Sequence, residues 1–455
     1  MEKLGNLQAQ GRQILSRPAN GASWKALLSG LALAGLVFFT LPAREPFHAK
    51  GAITQAELSA GLQLCAKHNQ HPFVDYSFAA HRLTTRDPQA PLQIFKNITL
   101  INGDGSIQHN VQLEIQDGII TYVDEVRETS PSTATIVDVA GRYVSPGLID
   151  MHSHVGLRQE PQIWGNEDVT ESTFPVTSWA RAIDGFKPTD QGIKILASGG
   201  TTTSLVLTGA KNLISGEGMV IKHKETKSVW EIQIDSTSNG RSPKPQRYLK
   251  MACGENIKGQ FQGALTGPIS RQGESGFVRF AFEEARELLR SQDSWCERAA
   301  SNAAGLTTPY PTSIRVQTLI DVLRGDVSVH LHCYQPQDVF SEWDHGDEFG
   351  YNITALHHIT QAHEMLDEIK KRGSMLATFS DEGGFKNENY HYSWYMLKQA
   401  AAAGIPIALT TDHPAKHGQF LAYEAQVAHH FQLDEKLALA SLMSVPAKAL
   451  GLDNR

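Results

Sequence analysis

The sequence predicts an α/β protein whose largest part is a (β/α)8 TIM barrel. Three observations support this. Short apolar runs alternate with helical stretches after residue 145, and polar residues stand at the C-terminal ends of these runs. Before the barrel lies a block of alternating apolar and polar residues that no helical pattern interrupts. The chain has 455 residues, which is long enough for one barrel and one smaller unit.

The N-terminal segment differs in character from the rest. Residues 26–43 contain no charged side chain and are flanked by Lys25 and Arg44. A bilayer core needs about 17–25 such residues and a signal-peptide core about 7–15, so a transmembrane signal-anchor is expected rather than a cleaved signal. The residues before it are mainly basic, which predicts that 1–25 is a cytoplasmic tail. The remainder would then be lumenal or extracellular; secretion is the alternative. Residues 44–91 are predicted to be a stalk.

Residues 92–144 predict a small β-sandwich domain, or the N-terminal part of one. Their apolar residues alternate with polar ones, which is typical of half-buried strands, and Asp117-Gly118 is a strong hairpin signal. The predicted strands are 92–102, 111–115, 119–126 and 135–139.

Residues 145–455 predict the barrel. An opening strand leads to His152 and His154, and seven further strands complete the number that such a barrel needs: 201–207, 218–222, 249–255, 327–333, 353–358, 375–380 and 405–412. Helices are predicted at 280–290, 313–324, 361–372, 393–403, 421–431 and 435–450, with one more in the stalk at 55–68.

Charge and cysteine content restrict the class of protein. The formal net charge is −7 at pH 7, and the chain has no long basic run, which argues against a general nucleic-acid binder. Four cysteines do not make a disulfide framework. Cys253 and Cys333 fall inside predicted strands, whereas Cys65 and Cys296 lie in outer segments and could pair in an oxidising lumen.

The pair His152 and His154 is the first candidate for metal binding. Side chains two apart on a strand point the same way, so both imidazoles can reach one cation. Because the chain has 19 histidines, such a pair could also arise by chance.

Polar residues at the other strand ends strengthen the case for a metal site. Taken singly, His330 and His332 could be strand histidines with local hydrogen bonds, and Asp412 could be a helix cap. His357 and His358 are adjacent, so only one is expected to face the barrel axis. The candidates as a set are His152, His154, Lys222, Glu255, His332, His358 and Asp412.

Several stretches together resemble the amidohydrolase superfamily of metal-dependent hydrolases, in particular its imidazolonepropionase-like and ochratoxinase-like fungal members. The resemblance implies a TIM barrel with a composite β-sandwich. It also implies His152 and His154 as first-strand ligands, with His332, His358 and Asp412 as the ligands of strands five, six and eight. The matching stretches are VSPGLIDMHSHVG, GGTTTSLVLTGAKNLISGEGMVIK, KMACGEN, HCYQPQD, ALHHIT, TTDHP and FLAYEAQVAHHFQL…LALASLMSVPAKALGLD.

The bridging ligand is left between two residues. Members of this family use a carboxylated lysine or a glutamate near the middle strands. Glu255 ends the predicted fourth strand and Lys222 the third. Glu255 is preferred because a carboxylate needs no modification to bind a cation, and Lys222 is the alternative. The resemblance implies one or two divalent ions, with zinc expected.

The chain departs from the family at its end. Members continue past the last helix into strands that complete the sandwich, whereas this sequence stops at Arg455. The predicted sandwich is therefore incomplete and should expose strand edges and apolar surface. Whether the sequence is truncated or another element covers that edge stays open.

The expected activity is hydrolysis of an amide-like carbon–nitrogen bond by metal-activated water. Asp412 would act as general base and then acid, and His358 or His357 would stabilise the oxyanion. The alternatives are an esterase or a deaminase with the same ligands, or an inactive membrane-tethered remnant. The expected partners are a small-molecule substrate and, through the N-terminal helix, a membrane; homo-oligomerisation is left open.

Overall fold

The computed structural model describes residues 52–68, 91–127, 131–234, 246–264, 266–381 and 386–453. The tail and anchor predicted for residues 1–43 lie outside these ranges, as does most of the predicted stalk. Within the described ranges, no helix combines the length and apolarity needed to cross a bilayer.

The described residues form fourteen strands. They are β1 (Gln93–Ile101), β2 (Ile107–Gln116), β3 (Ile119–Glu125), β4 (Thr135–Asp138), β5 (Tyr143–Val144), β6 (Leu148–Ser153), β7 (Thr201–Val206), β8 (Ile214–Lys222), β9 (Gln233–Ile234), β10 (Tyr248–Ala252), β11 (Ser328–His332), β12 (Ile353–His357), β13 (Met375–Thr378) and β14 (Ile407–Leu409).

Twelve α-helices lie in the same ranges. Three of them, α3, α5 and α11, follow Asp190, Ser270 and Asp434, whose side chains accept hydrogen bonds from first-turn amides and so favour a helix start there. The helices are α1 (Gln55–His68), α2 (Ala182–Gly185), α3 (Gln191–Ser198), α4 (Glu255–Phe261), α5 (Arg271–Asn302), α6 (Gln317–Leu323), α7 (Pro336–Phe349), α8 (Leu366–Arg372), α9 (Met396–Ala402), α10 (Leu421–His430), α11 (Glu435–Ala440) and α12 (Ser444–Ala449).

Strands β1 to β5 form one sheet in the order β3-β2-β1-β4, with β5 also paired to β1. Asp117 and Gly118 both have positive φ, as the predicted hairpin turn requires. The four predicted strands are present, but within the described residues they form a single layer rather than a sandwich. Ile120, Ile136 and Tyr143 of this layer are more than half exposed. The expected exposure of apolar surface is therefore observed.

The other nine strands form one sheet that nearly closes into a barrel. Its order is β14-β13-β12-β11-β10-β8-β7-β6, with β9 on β8. β6 meets the segment that follows β14 through a bridge between Ser153 and His413, and the His154 amide donates to the His413 carbonyl at 2.9 Å. All eight predicted barrel strands are present. One runs against expectation, because β8 is antiparallel to both β7 and β10.

Small residues leave room for imidazoles inside this barrel. His330 pairs in register with Ala355, and His357 pairs with Ala377. Residues paired across neighbouring strands point to the same face, so each histidine has a methyl group on one side, and on the other side His330 has Lys250 and His357 has His332. The rest of the interior is an apolar cluster that includes Leu205 and, from the C-terminal segment, Leu450.

Helix α1 confirms the helix predicted in the stalk, and a disulfide between Cys65 and Cys296 joins it to α5. The helices are in close contact there, since a Cβ on Gly61 would lie 2.2 Å from the Trp295 ring. Cys253 and Cys333, which follow β10 and β11, form a second disulfide that the sequence did not predict.

Candidate metal centre

Two histidines reach the mouth of the barrel from the end of β6. The Nε2 atoms of His152 and His154 lie 3.1 and 2.9 Å from Oδ1 of Asp412. The Nδ1–H of His154 donates to the Leu207 carbonyl at 2.7 Å, which leaves its Nε2 with a lone pair. The spacing of two residues therefore brings both imidazoles to one point, as the sequence predicted.

His358 and Asp412 join them from the ends of β12 and β14. Both lie just beyond their strands in the left-handed region, with φ of 57° and 49°. This conformation is uncommon for residues other than glycine and is concentrated at functional sites. The His358 Nε2 lies 3.5 Å from Oδ2 of Asp412. Potential ligand atoms of His152, His358 and Asp412 all lie within 4.8 Å of one another.

His357 also faces the interior, which corrects the expectation that only one of the adjacent histidines could do so. His357 is the last residue of β12 and points inward, with its Nδ1 3.1 Å from Nδ1 of His152. The left-handed backbone at His358 then ends the strand alternation, and its ring stacks on that of His152 at 4.6 Å. Strand alternation predicts direction only inside a strand.

His332 lies at the end of β11, on the cleft side of the same group. Its ring centroid is 5.3 Å from that of His358, and its Nε2 is 3.0 Å from the amide nitrogen of Asn256. Among the described residues its buried Nδ1 has no hydrogen-bond partner, and neither ring nitrogen of His358 has one.

Glu255 and Lys222 do not join the group, so neither fits the predicted bridging position. Glu255 begins α4 and accepts a hydrogen bond from the Asn387 amide. Lys222 ends β8, whose antiparallel direction places it opposite Thr203, near the start of β7. It therefore lies at the end of the barrel away from His152.

Lys250, and neither Glu255 nor Lys222, lies next to the histidine group. It lies in the middle of β10, fully buried, with its Nζ 2.9 Å from Nε2 of His152. Burial, partly offset by attraction to Asp412, lowers the pKa of Lys250 to about 7. Lys250 was not among the residues predicted from the sequence; the available signal was a lysine between Leu249 and Met251 in an apolar strand.

The electrostatics of the group favour neutral imidazoles around one carboxylate. Burial is the main cause that lowers the histidine pKa values, to about 3 for His330 and His358 and well below normal for His152, His332 and His357. Burial alone would raise the pKa of Asp412, but attraction to His358, then hydrogen bonding and attraction to His154, holds it well below its usual range.

These residues fit a divalent cation. Neutral imidazoles and an ionised carboxylate are the protonation states that metal ligands need. The unpartnered nitrogens of His332 and His358 are what a ligand set shows where a cation would complete it, because buried polar atoms are otherwise almost always satisfied.

Asp150 supports the group from behind. It is fully buried in β6 and accepts hydrogen bonds from the His152 amide, from the backbone amide and the hydroxyl of Thr411, and from the hydroxyl of Thr410. These bonds join β6 to the segment that carries Asp412. The sequence gives no signal for this role, because Asp150 and Thr410 are far apart in the chain.

A cleft of about 340 Å³ opens over the group. Three basic side chains, Arg158, Lys211 and Lys386, line it together with Asn256, Tyr334 and Phe379. Lys386 donates to Oδ1 of Asn256 at 2.9 Å, and Arg158 is paired with Glu167. The walls therefore carry basic side chains above a site that can hold a cation.

Comparison with known proteins gives two curated relatives. No protein-family model matches the chain. It is 37% identical to amidohydrolase tasK of Hapsidospora irregularis over 349 residues, which is 75% of this chain and 36% of that protein. A stretch of 66 residues is 41% identical to a dihydroorotase of Thermoanaerobacter and covers 14% of each chain. The match thus spans about a third of the length of the amidohydrolase and about a seventh of the length of the dihydroorotase.

Among solved structures, an amidohydrolase from Thermotoga maritima superposes with a TM-score of 0.70 at 27% sequence identity. The match covers 80% of this chain and 90% of that one.

Proposed function

The chain belongs to the amidohydrolase superfamily, and we propose that it is a metal-dependent hydrolase of an amide-like carbon–nitrogen bond in a small molecule. The observation that carries the proposal is the meeting of His152, His154 and His358 around Asp412 at the barrel mouth, where barrel enzymes hold their active sites.

Six residues would hold the metal. His152, His154, His332, His358 and Asp412 supply imidazole nitrogens and a carboxylate, which suit zinc among other divalent ions. We assign the bridging position to Lys250 because its Nζ already contacts His152. The family's carboxylated lysine would form when the neutral amine adds to CO₂, giving a carbamate and releasing one proton. Burial favours this step, since the lowered pKa leaves part of Lys250 unprotonated at pH 7.

A bound divalent ion would supply Lewis acidity and lower the pKa of water to about 7. Asp412 lies at the cleft with its side chain 21% exposed and is held ionised, so it can accept a proton from the attacking water. It would then return that proton to the leaving nitrogen.

Oxyanion stabilisation fits Lys386 better than the two histidines suggested from the sequence. His357 is fully buried beneath His152, and His358 lies between His152 and Phe379. Lys386 lines the cleft next to Asn256, so its ammonium can approach a substrate carbonyl oxygen.

The experiment is removal and return of metal on the full-length chain. Protein stripped with a chelator and reloaded with zinc should hydrolyse members of an amide panel, and the stripped protein should not. Zinc-loaded protein that cleaves only esters or amidines would instead identify the esterase or deaminase alternative. Protein that binds zinc and cleaves nothing across all three panels would support the inactive remnant.

We also propose that residues 26–43 anchor the chain with the barrel on the lumenal or extracellular side. The Cys65–Cys296 disulfide supports an oxidising compartment. Protease protection in sealed microsomes tests this. Digestion of the barrel by protease added outside would contradict it.

A further inference from the structure

We propose that His357 and His330 are positioning residues that set the tautomer of His152 through a chain of three hydrogen-bonded imidazoles. This inference rests on the proposed function in one respect, namely that His152 binds metal through Nε2. It concerns residues beneath the ligands, and the reaction uses neither of them directly.

The three rings form a continuous line into the barrel. Nδ1 of His152 lies 3.1 Å from Nδ1 of His357, and Nε2 of His357 lies 2.9 Å from Nδ1 of His330. All three side chains are at most 2% exposed. The line starts at the atom that faces Asp412 and Lys250, because His152 Nε2 is 3.1 and 2.9 Å from them.

Each link determines the next. A neutral imidazole has one N–H and one lone pair, on opposite nitrogens. When Nε2 of His152 gives its lone pair to a metal, Nδ1 carries the proton and donates to Nδ1 of His357. His357 must then carry its own proton on Nε2, which donates to Nδ1 of His330. His330 is left with its proton on Nε2.

The partner histidine of the same motif shows what this adds. His154 donates Nδ1–H to the Leu207 carbonyl, and a carbonyl can only accept, so that tautomer is fixed by the backbone. An imidazole can donate or accept. The tautomer of His152 is therefore coupled to two further rings, and occupation of its Nε2 should be detectable at His330.

The first test measures zinc affinity by competition with a chelator on the full-length chain. His357→Leu should weaken binding by about 10–100-fold, the usual loss when a residue that orients a metal ligand is removed. His357→Gln should recover most of it, because its amide oxygen can accept from His152 and its NH₂ can donate to His330. The control is His345→Gln, a buried histidine on α7 that bonds to Glu342 and Ser275 away from this line.

The second test reads the tautomers directly. In zinc-loaded protein labelled with ¹⁵N-histidine, NMR should show His357 and His330 protonated at Nε2, with assignments from the His357 and His330 variants. Protonation of His357 at Nδ1, or zinc affinity of His357→Leu within twofold of wild type, overturns the proposal.

The two proposals fail separately. Wild-type protein that binds no zinc overturns both the proposed function and the chain of tautomers. Equal zinc affinity in the wild type and in His357→Leu overturns only the proposed line of imidazoles. If His357→Leu loses zinc affinity while the zinc-loaded wild type hydrolyses nothing, the hydrogen-bonded line of imidazoles is supported and the proposed enzymatic function is contradicted.

Discussion

Two groups of polar residues in the barrel, one partly buried and one almost fully buried, differ in whether their hydrogen bonds are complete. Arg247, just before β10, donates to both carboxylate oxygens of Glu217 and to Asp321. Thr318 and Gln317 donate to the same two carboxylates. We call this the Arg247 group. In the metal-centre group, by contrast, nitrogens of His332 and His358 have no hydrogen-bond partner among the described residues.

This difference in hydrogen bonding suggests that the Arg247 group serves stability and the metal-centre group serves ligand binding. A buried ion network that is fully paired contributes to the fold once it is formed, and losing one member leaves uncompensated charge. A set of buried imidazoles with missing partners costs stability unless a ligand completes it. The four predictions below test whether the two groups divide in this way.

The largest expected effect is on activity. Asp412→Asn should lower kcat/KM by about 10²–10⁴-fold, because the amide cannot take the water proton. The measurement is steady-state hydrolysis of whichever amide substrate the panel identifies. Asp347→Asn, an exposed carboxylate on α7 paired with Arg372, serves as the control and should keep full activity. Near-normal turnover of zinc-loaded Asp412→Asn would remove Asp412 from the mechanism.

Next in size is the loss of the Arg247 group. Arg247→Leu should lower the free energy of unfolding by about 3–5 kcal/mol, because Glu217 and Asp321 are left without their cation. Urea unfolding measures this. The zinc affinity of the folded fraction should be unchanged. A loss below about 1 kcal/mol would show that a complete network is not what distinguishes the two groups.

Acid should destabilise the metal-free protein through the metal-centre group. Between pH 6.5 and about 3 the unfolded chain binds protons that the buried histidines do not, so the unfolding free energy falls as pH falls. Each histidine contributes up to about 1.4 kcal/mol per pH unit. Asp150 and Glu274 act in the opposite direction, since burial raises their pKa values to about 6 and about 7, but they are two groups against five histidines.

Thermal unfolding of the chelated protein at successive pH values tests this. Substituting His330 by Phe should flatten the slope by about one proton. A midpoint that is constant from pH 7 to pH 5 would mean that these histidines are not buried and neutral in solution.

The smallest effects are expected at the two residues that the sequence proposed as bridging ligands. Glu255→Gln and Lys222→Met should leave zinc affinity within about twofold and stability within about 0.5 kcal/mol, since both lie away from the group. Lys250→Met is the matched comparison and should lose bound metal. Equal loss in Glu255→Gln would restore the original assignment.

The sequence predicted those parts of the site that depend on local pattern. The two-residue spacing at the end of β6 predicts that His152 and His154 come together, although His154 lies one residue beyond the strand. Apolar runs followed by polar residues predict the ends of β11, β12 and β14. Lys250 was not predicted because it lies in the middle of its strand, whereas the prediction considered only residues at strand ends. A long side chain such as lysine can reach the site from further down the barrel. The sequence does not predict that His357 and His358 both face the interior, because nothing in the residue type of His358 indicates its left-handed backbone.

The direction of β8 was predictable but was not predicted. The apolar run predicts a strand start at residue 218, whereas the strand begins at Ile214, shortly after β7 ends at Val206. A parallel crossover needs about a dozen residues or more, so this short connection requires an antiparallel strand. Recognising it would have moved Lys222 to the other end of the barrel.

The most direct test of the central claim is an anomalous-diffraction map of the zinc-loaded protein. We expect an anomalous zinc peak at the barrel mouth between the Nε2 atoms of His152 and His154 and the carboxylate of Asp412. An omit electron-density map of the same crystals should show density extending from Nζ of Lys250. A peak elsewhere, or none at this position in zinc-loaded crystals, would contradict it.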